Sequence, residues 1–244
     1  MTVIKTNNLR KEYKDIVAVD NLNLNIEEGE LFSLLGVNGA GKTTTIKMLS
    51  TLVKPTGGDA FIYDCSIKSD DDKIKKLIDI SMQETAVARK LTVEENIEFY
   101  AKLSGQMKKE IAESKRYVYE NFGLETVAKK QAATLSGGWQ RKLSIALALV
   151  SKPKVLFLDE PTLGLDVIAR RELWNAIDKL KSKMTIILTT HYMEEAEALS
   201  DRIGIMKDGK LLFVGTKEEL YAKTDKTSVE EAFIEIVSGG KINA

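Results

Sequence analysis

The chain has 244 residues, 43% of them hydrophobic, and its 36 Lys and Arg balance 36 Asp and Glu. That is enough apolar material for one sizeable core, or for a core with one inserted subdomain, and it excludes a disordered or fibrous chain. With zero formal charge and no long basic tract to follow a phosphate backbone, nucleic acid is not expected as a partner. The single cysteine, Cys65, excludes an internal disulfide and reads as a packing residue. The longest nearly apolar run, 143–150, falls far short of the roughly 20 residues that cross a membrane. Residues 1–13 alternate polar and apolar without the apolar block of a signal peptide, so a soluble, cytoplasmic chain is expected.

In chain order, 3–9 and 22–26 alternate like half-buried strands, and the short apolar run 31–35 reads as a strand buried on both faces. An amphipathic helix is expected over 43–53, from Ile46, Leu49 and Val53 at helical spacing, ended by Pro55, Gly57 and Gly58. The run Asp70, Asp71, Asp72, Lys73 reads as a solvated helix start, where acids are favoured. Ile78 and Ile80 predict a strand that ends near Gln83. From 92 to about 130, Ile97, Tyr100, Ala101 and then Ile111, Tyr117, Val118, Phe122 alternate with charges, which predicts an inserted helical subdomain. A helix should run from Ser136 to about 150, and buried strands at 155–158 and 185–188 should flank a helix near 167–181. Residues 203–206 and 211–214 surround Asp208-Gly209, a positive-φ hairpin turn, and 228–237 reads as a short amphipathic helix.

Residues 36–44 read GVNGAGKTT between the expected buried strand and helix. Glycines there let consecutive backbone N–H groups turn onto phosphate oxygens, and the helix N-terminus adds its positive dipole end. Lys42 would reach the β and γ phosphates, and Thr43 would hold Mg²⁺ through its hydroxyl. As a chance glycine turn the pattern arises on the order of once per hundred chains of this length, and less often after a buried strand. Asp159 ends the 155–158 run, where ligands of parallel sheets gather and an acid can hold Mg²⁺ through its water shell. Glu160, one step beyond, is placed to act as general base for the water that attacks the γ-phosphate. On their own, Asp159, Glu160 and Pro161 would equally suit a strand-ending acidic turn; the upstream phosphate loop favours the functional reading.

His191, the only histidine, follows the strand 185–188 at the same edge, where it would bond the γ-phosphate and orient the water. Gln83 ends a strand at that edge and would contact Mg²⁺ or water. Ser136, Gly137 and Gly138 open a helix as a second anion-binding element. Since the first already cradles the triphosphate, the natural ligand of the second is the nucleotide of another chain.

In order and approximate spacing, the loop 36–44, Gln83, the stretch 135–138 (LSGG), Asp159 with Glu160, Asp166 and His191 resemble the ATP-binding subunits of ABC transporters over nearly the whole chain. The resemblance implies an α/β fold: a P-loop NTPase core with an N-terminal antiparallel β subdomain and an inserted α-helical subdomain. The corresponding division is 1–85 with 152–223 for the core, 86–151 for the helical insert and 224–244 for a short C-terminal helix. It implies ATP and Mg²⁺ as cofactors. ATP would be held by Tyr13, stacked on adenine, by Gly36, Asn38, Gly39, Ala40, Gly41, Lys42, Thr43 and Thr44, and by Ser136, Gly137 and Gly138 of a second subunit. Thr43, Gln83 and Asp159 would hold the metal. Lys42, Gln83, Glu160 and His191 would carry the catalysis, and Asp166 would lie at the dimer seam.

The resemblance further implies transmembrane permease subunits docking beside 83–100, a second ATP-binding subunit, and a peripheral position on the inner face of the cell membrane. Residues 190–197 (THYMEEAE) and the later Gly209-Lys210, Gly215-Thr216 and Glu218-Glu219-Leu220 look like the exporter branch of daunorubicin-resistance, sodium-export and gliding-motility ATPases. Two positions depart from the family pattern. Trp139 stands where glutamine is usual, and is expected to pack at the dimer seam, and Met82 replaces the proline common before the loop glutamine. Three other readings compete. A small-molecule kinase has no use for LSGG before a helix. A DNA-maintenance ATPase of the same class carries long coiled-coil arms for which the span 83–135 is too short. A non-hydrolysing scaffold would not need Glu160 and His191.

Overall fold

Alternation at the start of the chain turns Ile4, Leu9, Leu22, Leu24 and Ile26 inward. The two segments pair as antiparallel strands β1 (Thr2–Tyr13) and β2 (Ile16–Glu27). This is a computed structural model, and it describes residues 1–239; the end of the expected 224–244 segment lies outside the described residues. β3 (Leu31–Gly36) is buried along its whole length. α1 (Lys42–Leu49) stops four residues before the expected 53. Ser50 closes it through an N–H to the Ile46 carbonyl, Thr51 turns the chain at φ 61°, and Leu52 is left in solvent. Gly57 and Gly58, read as helix breakers, instead begin β4 (Gly57–Ile62), which pairs with β1 and with β5 (Cys65–Ser66). The first sheet is therefore antiparallel, in the order β2-β1-β4-β5.

The acidic run starts the one-turn helix α2 (Asp71–Ile74), and β6 (Ile78–Ser81) ends two residues before Gln83. The insert forms α3 (Val93–Leu103), which Thr92 and Glu95 open with a reciprocal capping box, then α4 (Lys108–Phe122) and α5 (Gly137–Val150). Such a cap contributes about 1 kcal/mol. β7 (Val155–Asp159), α6 (Val167–Asp178) and β8 (Thr185–Thr190) follow, with α6 three residues shorter than expected. The α7 helix (Met193–Leu199) was not anticipated, although its residues all favour a helix. β9 (Arg202–Lys207) and β10 (Lys210–Gly215) form the expected hairpin, with Asp208 and Gly209 both at positive φ, and α8 (Lys217–Thr224) and α9 (Val229–Ser238) complete the described chain.

The second sheet has the order β10-β9-β3-β8-β7-β6. All its strands but β10 run parallel, so the segments leaving β3, β6, β7 and β8 emerge on one edge. One sheet face, with Phe32, Leu34, Val155, Phe157 and Ile187, packs against α1 and the antiparallel sheet. The other face, with Leu156, Leu158, Ile186 and Leu188, packs against α5, α6 and the first two insert helices through Val93, Ile97 and Val118. The insert thus shares its core with the sheet, which is why α5 is buried nearly all round. Among the described residues no helix is long and apolar enough to cross a membrane.

Candidate active site

The loop from β3 to α1 is built around close backbone approaches. A Cβ on Gly36 would lie 2.6 Å from the Met206 carbonyl. Gly41, at φ 104°, would place one 2.4 Å from the Ala18 carbonyl, so neither position admits a side chain. The hairpin tip braces the loop from below: Gly209 N–H donates to the Ala40 carbonyl at 3.1 Å, and Asp20 N–H to the Gly209 carbonyl at 2.8 Å. No side chain caps α1, which leaves its first N–H groups free for an anion. Lys42 is buried and folds back, donating to the carbonyls of Gly36 at 2.7 Å and Val37 at 3.2 Å.

Asp159 and Glu160 lie at the end of β7, one step apart but in different environments. Asp159 is wholly buried; its Oδ1 accepts from Thr43 Oγ1 at 3.0 Å and Thr189 Oγ1 at 2.5 Å, while Oδ2 has no partner. An orphaned carboxylate oxygen beside the Thr43 hydroxyl is a hard-oxygen pair of the kind that suits Mg²⁺. Among the described residues no cage of three His, Cys, Asp or Glu forms. Glu160 has φ 48°, in the left-handed region. Its Oε1 lies 3.3 Å from Lys42 Nζ and its Oε2 lies 2.7 Å from His191 Nδ1. The His191 ring stacks at a tilt on Tyr192, with centroids 4.1 Å apart, and the Arg170 guanidinium lies 4.6 Å from the Tyr192 ring centroid.

Lys42, Thr43, Glu160 and His191 line a cleft of about 500 Å³. Its walls are Tyr13, Ala18, Asn38, Gly39, Ala40, Gly41, Lys42, Thr43, Thr44, Gln83, Glu160, Leu163 and His191. Tyr13 is exposed, with Lys11 Nζ 4.9 Å from its ring centroid. Gly36 and Asp159 lie beneath the wall and do not reach it. Ser136, Gly137 and Gly138 do not line the cleft either. They sit at the start of α5, Ser136 and Gly137 exposed, with no side-chain cap on the helix. Trp139 is half-buried against the core, with Lys142 Nζ 4.6 Å from its ring, and Asp166 caps α6 by accepting from Ala169 N–H at 2.9 Å.

Arg141 has no place in the sequence reading. Almost fully buried on α5, it donates to the carbonyls of Pro161 at 2.7 Å, Met82 at 2.5 Å, Gln83 at 3.1 Å and Asp159 at 2.8 Å. One guanidinium thus ties the ends of β6 and β7 to the helix that opens with Ser136. The only signal for it is a charge inside the apolar α5 pattern, which also fits a snorkelling surface residue. Burial pulls its pKa down to about 10, against the pull of the Asp159, Glu195 and Glu160 charges, so it stays charged at neutral pH.

Residues 19–163 match the family described as ABC transporter. Human phospholipid-transporting ATPase ABCA3 is 44% identical over 217 residues, covering 87% of this chain and 13% of that protein. The probable multidrug ABC transporter ATP-binding protein YbhF of Escherichia coli is 37% identical over 242 residues, 97% of this chain and 42% of that one. The chain therefore spans less than half the length of either relative. Among solved structures, the ATP-binding cassette MJ0796, dimeric in a post-hydrolysis state with ADP and Pi, matches with a TM-score of 0.78 at 30% identity, over 87% of this chain and 98% of that one. An ATP-binding subunit of an ABC transporter matches with a TM-score of 0.85 at 26% identity, over 96% and 99% of the two chains.

Proposed function

This chain belongs to the ABC transporter family as an ATP-binding ATPase domain, and we propose that it drives a membrane exporter by ATP-dependent dimer closure, hydrolysis and reopening. The observation that carries the reading is the mutual engagement of Lys42, Glu160 and His191 in one cleft, beside the unpaired Asp159 oxygen. The Lys42 ammonium lies 3.3 Å from the Glu160 carboxylate. A triphosphate in the loop offers Lys42 several phosphate charges in place of one carboxylate, so the ammonium transfers to the phosphate and Glu160 is released. Glu160, still held by His191, then takes the proton of the attacking water, and His191 orients the γ-phosphate. Thr43, Asp159 and Gln83 would hold Mg²⁺, which neutralises charge developing on the β and γ oxygens. Tyr13 supplies the face for adenine.

The cleft lacks any contribution from Ser136, Gly137 or Gly138, which supports their serving the nucleotide of a second, identical or paralogous subunit. Transmembrane permease subunits would dock beside 83–100 on the insert 86–151, with 1–85 and 152–223 as the motor core and α9 (Val229–Ser238) appended to it. The chain would then work as a cytoplasmic, peripheral subunit on the inner face of the membrane. The multidrug description of YbhF and the phospholipid-transporting description of ABCA3 support export. Phosphate release tests the scheme: Glu160→Gln should lower it on the order of 10²- to 10⁴-fold while nucleotide still binds. Turnover unchanged in that variant would remove Glu160 from the base role.

A further inference from the structure

Below the cleft lies a carboxyl that the hydrolysis scheme leaves unused. Glu195, in the first turn of α7 and four residues after His191, is fully buried. Its Oε1 accepts from Trp174 Nε1 on α6 at 2.9 Å. Its Oε2 has no aligned partner, and neither has the hydroxyl of Thr162, which is equally buried. The hydroxyls of Thr162 and Thr190 both face this carboxyl. Thr162 lies two residues beyond Glu160, and Thr190 immediately precedes His191. The buried cation that acts on Glu195, Arg141, spends Nε, Nη1 and Nη2 on backbone carbonyls. A buried carboxylate that meets a neutral indole on one oxygen and only unaligned, neutral hydroxyls near the other loses its hydration with little compensation, which favours the protonated form.

We propose that Glu195 is a positioning residue for Glu160 and His191, a neutral carboxylic acid that accepts from Trp174, donates from Oε2 to Thr162 and so ties α6, the loop behind Glu160 and the end of β8 into one unit. Burial pushes this carboxyl above its ordinary range and the Glu160 charge adds to the rise, against hydrogen bonds from Thr190, Trp174 and Thr162 that pull it down. The unit has a use: the left-handed backbone at Glu160 persists only where its surroundings over-determine it. Thr162, two residues downstream, adds a second hold to the one Arg141 has on the Pro161 carbonyl.

The inference rests on Glu160 as the base, so its test separates protonation from turnover. Difference infrared spectra of the native chain against Glu195→Gln at neutral pH, without nucleotide, should show one protonated-carboxyl stretch lost. Glu195→Gln, whose amide accepts from Trp174 and donates to Thr162 as the acid does, should keep kcat and KM within about twofold. Glu195→Ala should lose on the order of 10- to 100-fold in kcat with KM for ATP little changed. In a Trp139→Phe background, Trp174 emission should shift in Glu195→Ala and stay near native in Glu195→Gln. If Glu195→Ala does not fold, Glu195→Asp replaces it, because the shorter acid cannot span both partners and should still lose kcat. No lost stretch, or a Glu195→Gln as impaired as the truncated variant, overturns the proposal. A lost stretch with full turnover in Glu160→Gln would instead overturn the base assignment and leave Glu195 protonated.

Discussion

Glu160 carries its carboxylate on a backbone at φ 48°, a conformation that costs a residue with a side chain about 1–3 kcal/mol. Its N–H is shared between the Thr189 carbonyl and Thr189 Oγ1, each at 3.1 Å, and the next carbonyl, of Pro161, is held by Arg141. The strain is thus fixed by contacts outside the motif that carries it. Arg141 spans carbonyls from two strand ends because its donors lie in one rigid plane. Lysine at this position would reach one carbonyl and leave the others buried and unpaired. Arg141→Lys is therefore expected to lower the unfolding free energy by about 2–4 kcal/mol, seen as a lower urea midpoint at unchanged slope, and to reduce phosphate release as well. A native midpoint would mean that those carbonyls have other partners to turn to.

At the scale of elements, the insert is held by a charge cluster as well as by its core. Glu94, in the first turn of α3, meets Lys115 Nζ of α4 at 2.6 Å and also pairs with Lys129, which follows the next turn. Hydrogen bonds first from Lys115 and then from Lys129 hold its carboxyl down at about 2, against an ordinary 4.5. The unfolded chain therefore binds a proton here between those values while the folded chain does not, so stability is fully present above pH 4.5 and is lost as pH falls towards 2. Because Lys129 is mostly exposed, screening limits the contribution to about 1 kcal/mol. Glu94→Gln should be less stable than the native chain near pH 7, and its urea stability should fall less steeply between pH 5 and 3. Parallel curves would show the cluster to be energetically idle.

The same distinction between local and distant causes marks what the sequence makes legible. Strand alternation, the Asp208-Gly209 turn, the Ser136 helix start and the phosphate loop obey rules written within a few residues, and all appear where expected. β4 does not, because its glycines become a strand only by pairing with β1 some 50 residues earlier. The α7 helix was missed because seven residues are too few for a helical period to show, although each of them favours a helix. Arg141 and the Glu160 turn were missed, like β4, because their partners lie on strands far away in the chain.

At the scale of the whole molecule, three exposed apolar side chains lie together where a second subunit is proposed to sit. Val167 and Ile168, at the start of α6, are 70% and 73% exposed, and Leu163 in the preceding loop is 39% exposed; apolar side chains of this kind suit an interface better than solvent. Trp139 already has partners within its own chain, since Lys142 sits over its ring and is itself paired with Glu172 at 2.7 Å. Closure would therefore change the environment of Trp139 without creating it. Isolating its emission by Trp174→Phe is unsuitable, because that change removes the Trp174 hydrogen bond to Glu195. The emission is better taken as the difference between Trp139→Phe and the parent chain. In a Glu160→Gln background, Mg-ATP should double the mass measured by light scattering and shift this difference emission, and Ser136→Ala should weaken both effects together. A doubled mass without the shift would place Trp139 away from the seam. A chain that binds ATP yet stays monomeric would mean that Trp139 or a missing partner prevents closure, and would overturn the pairing of two identical chains.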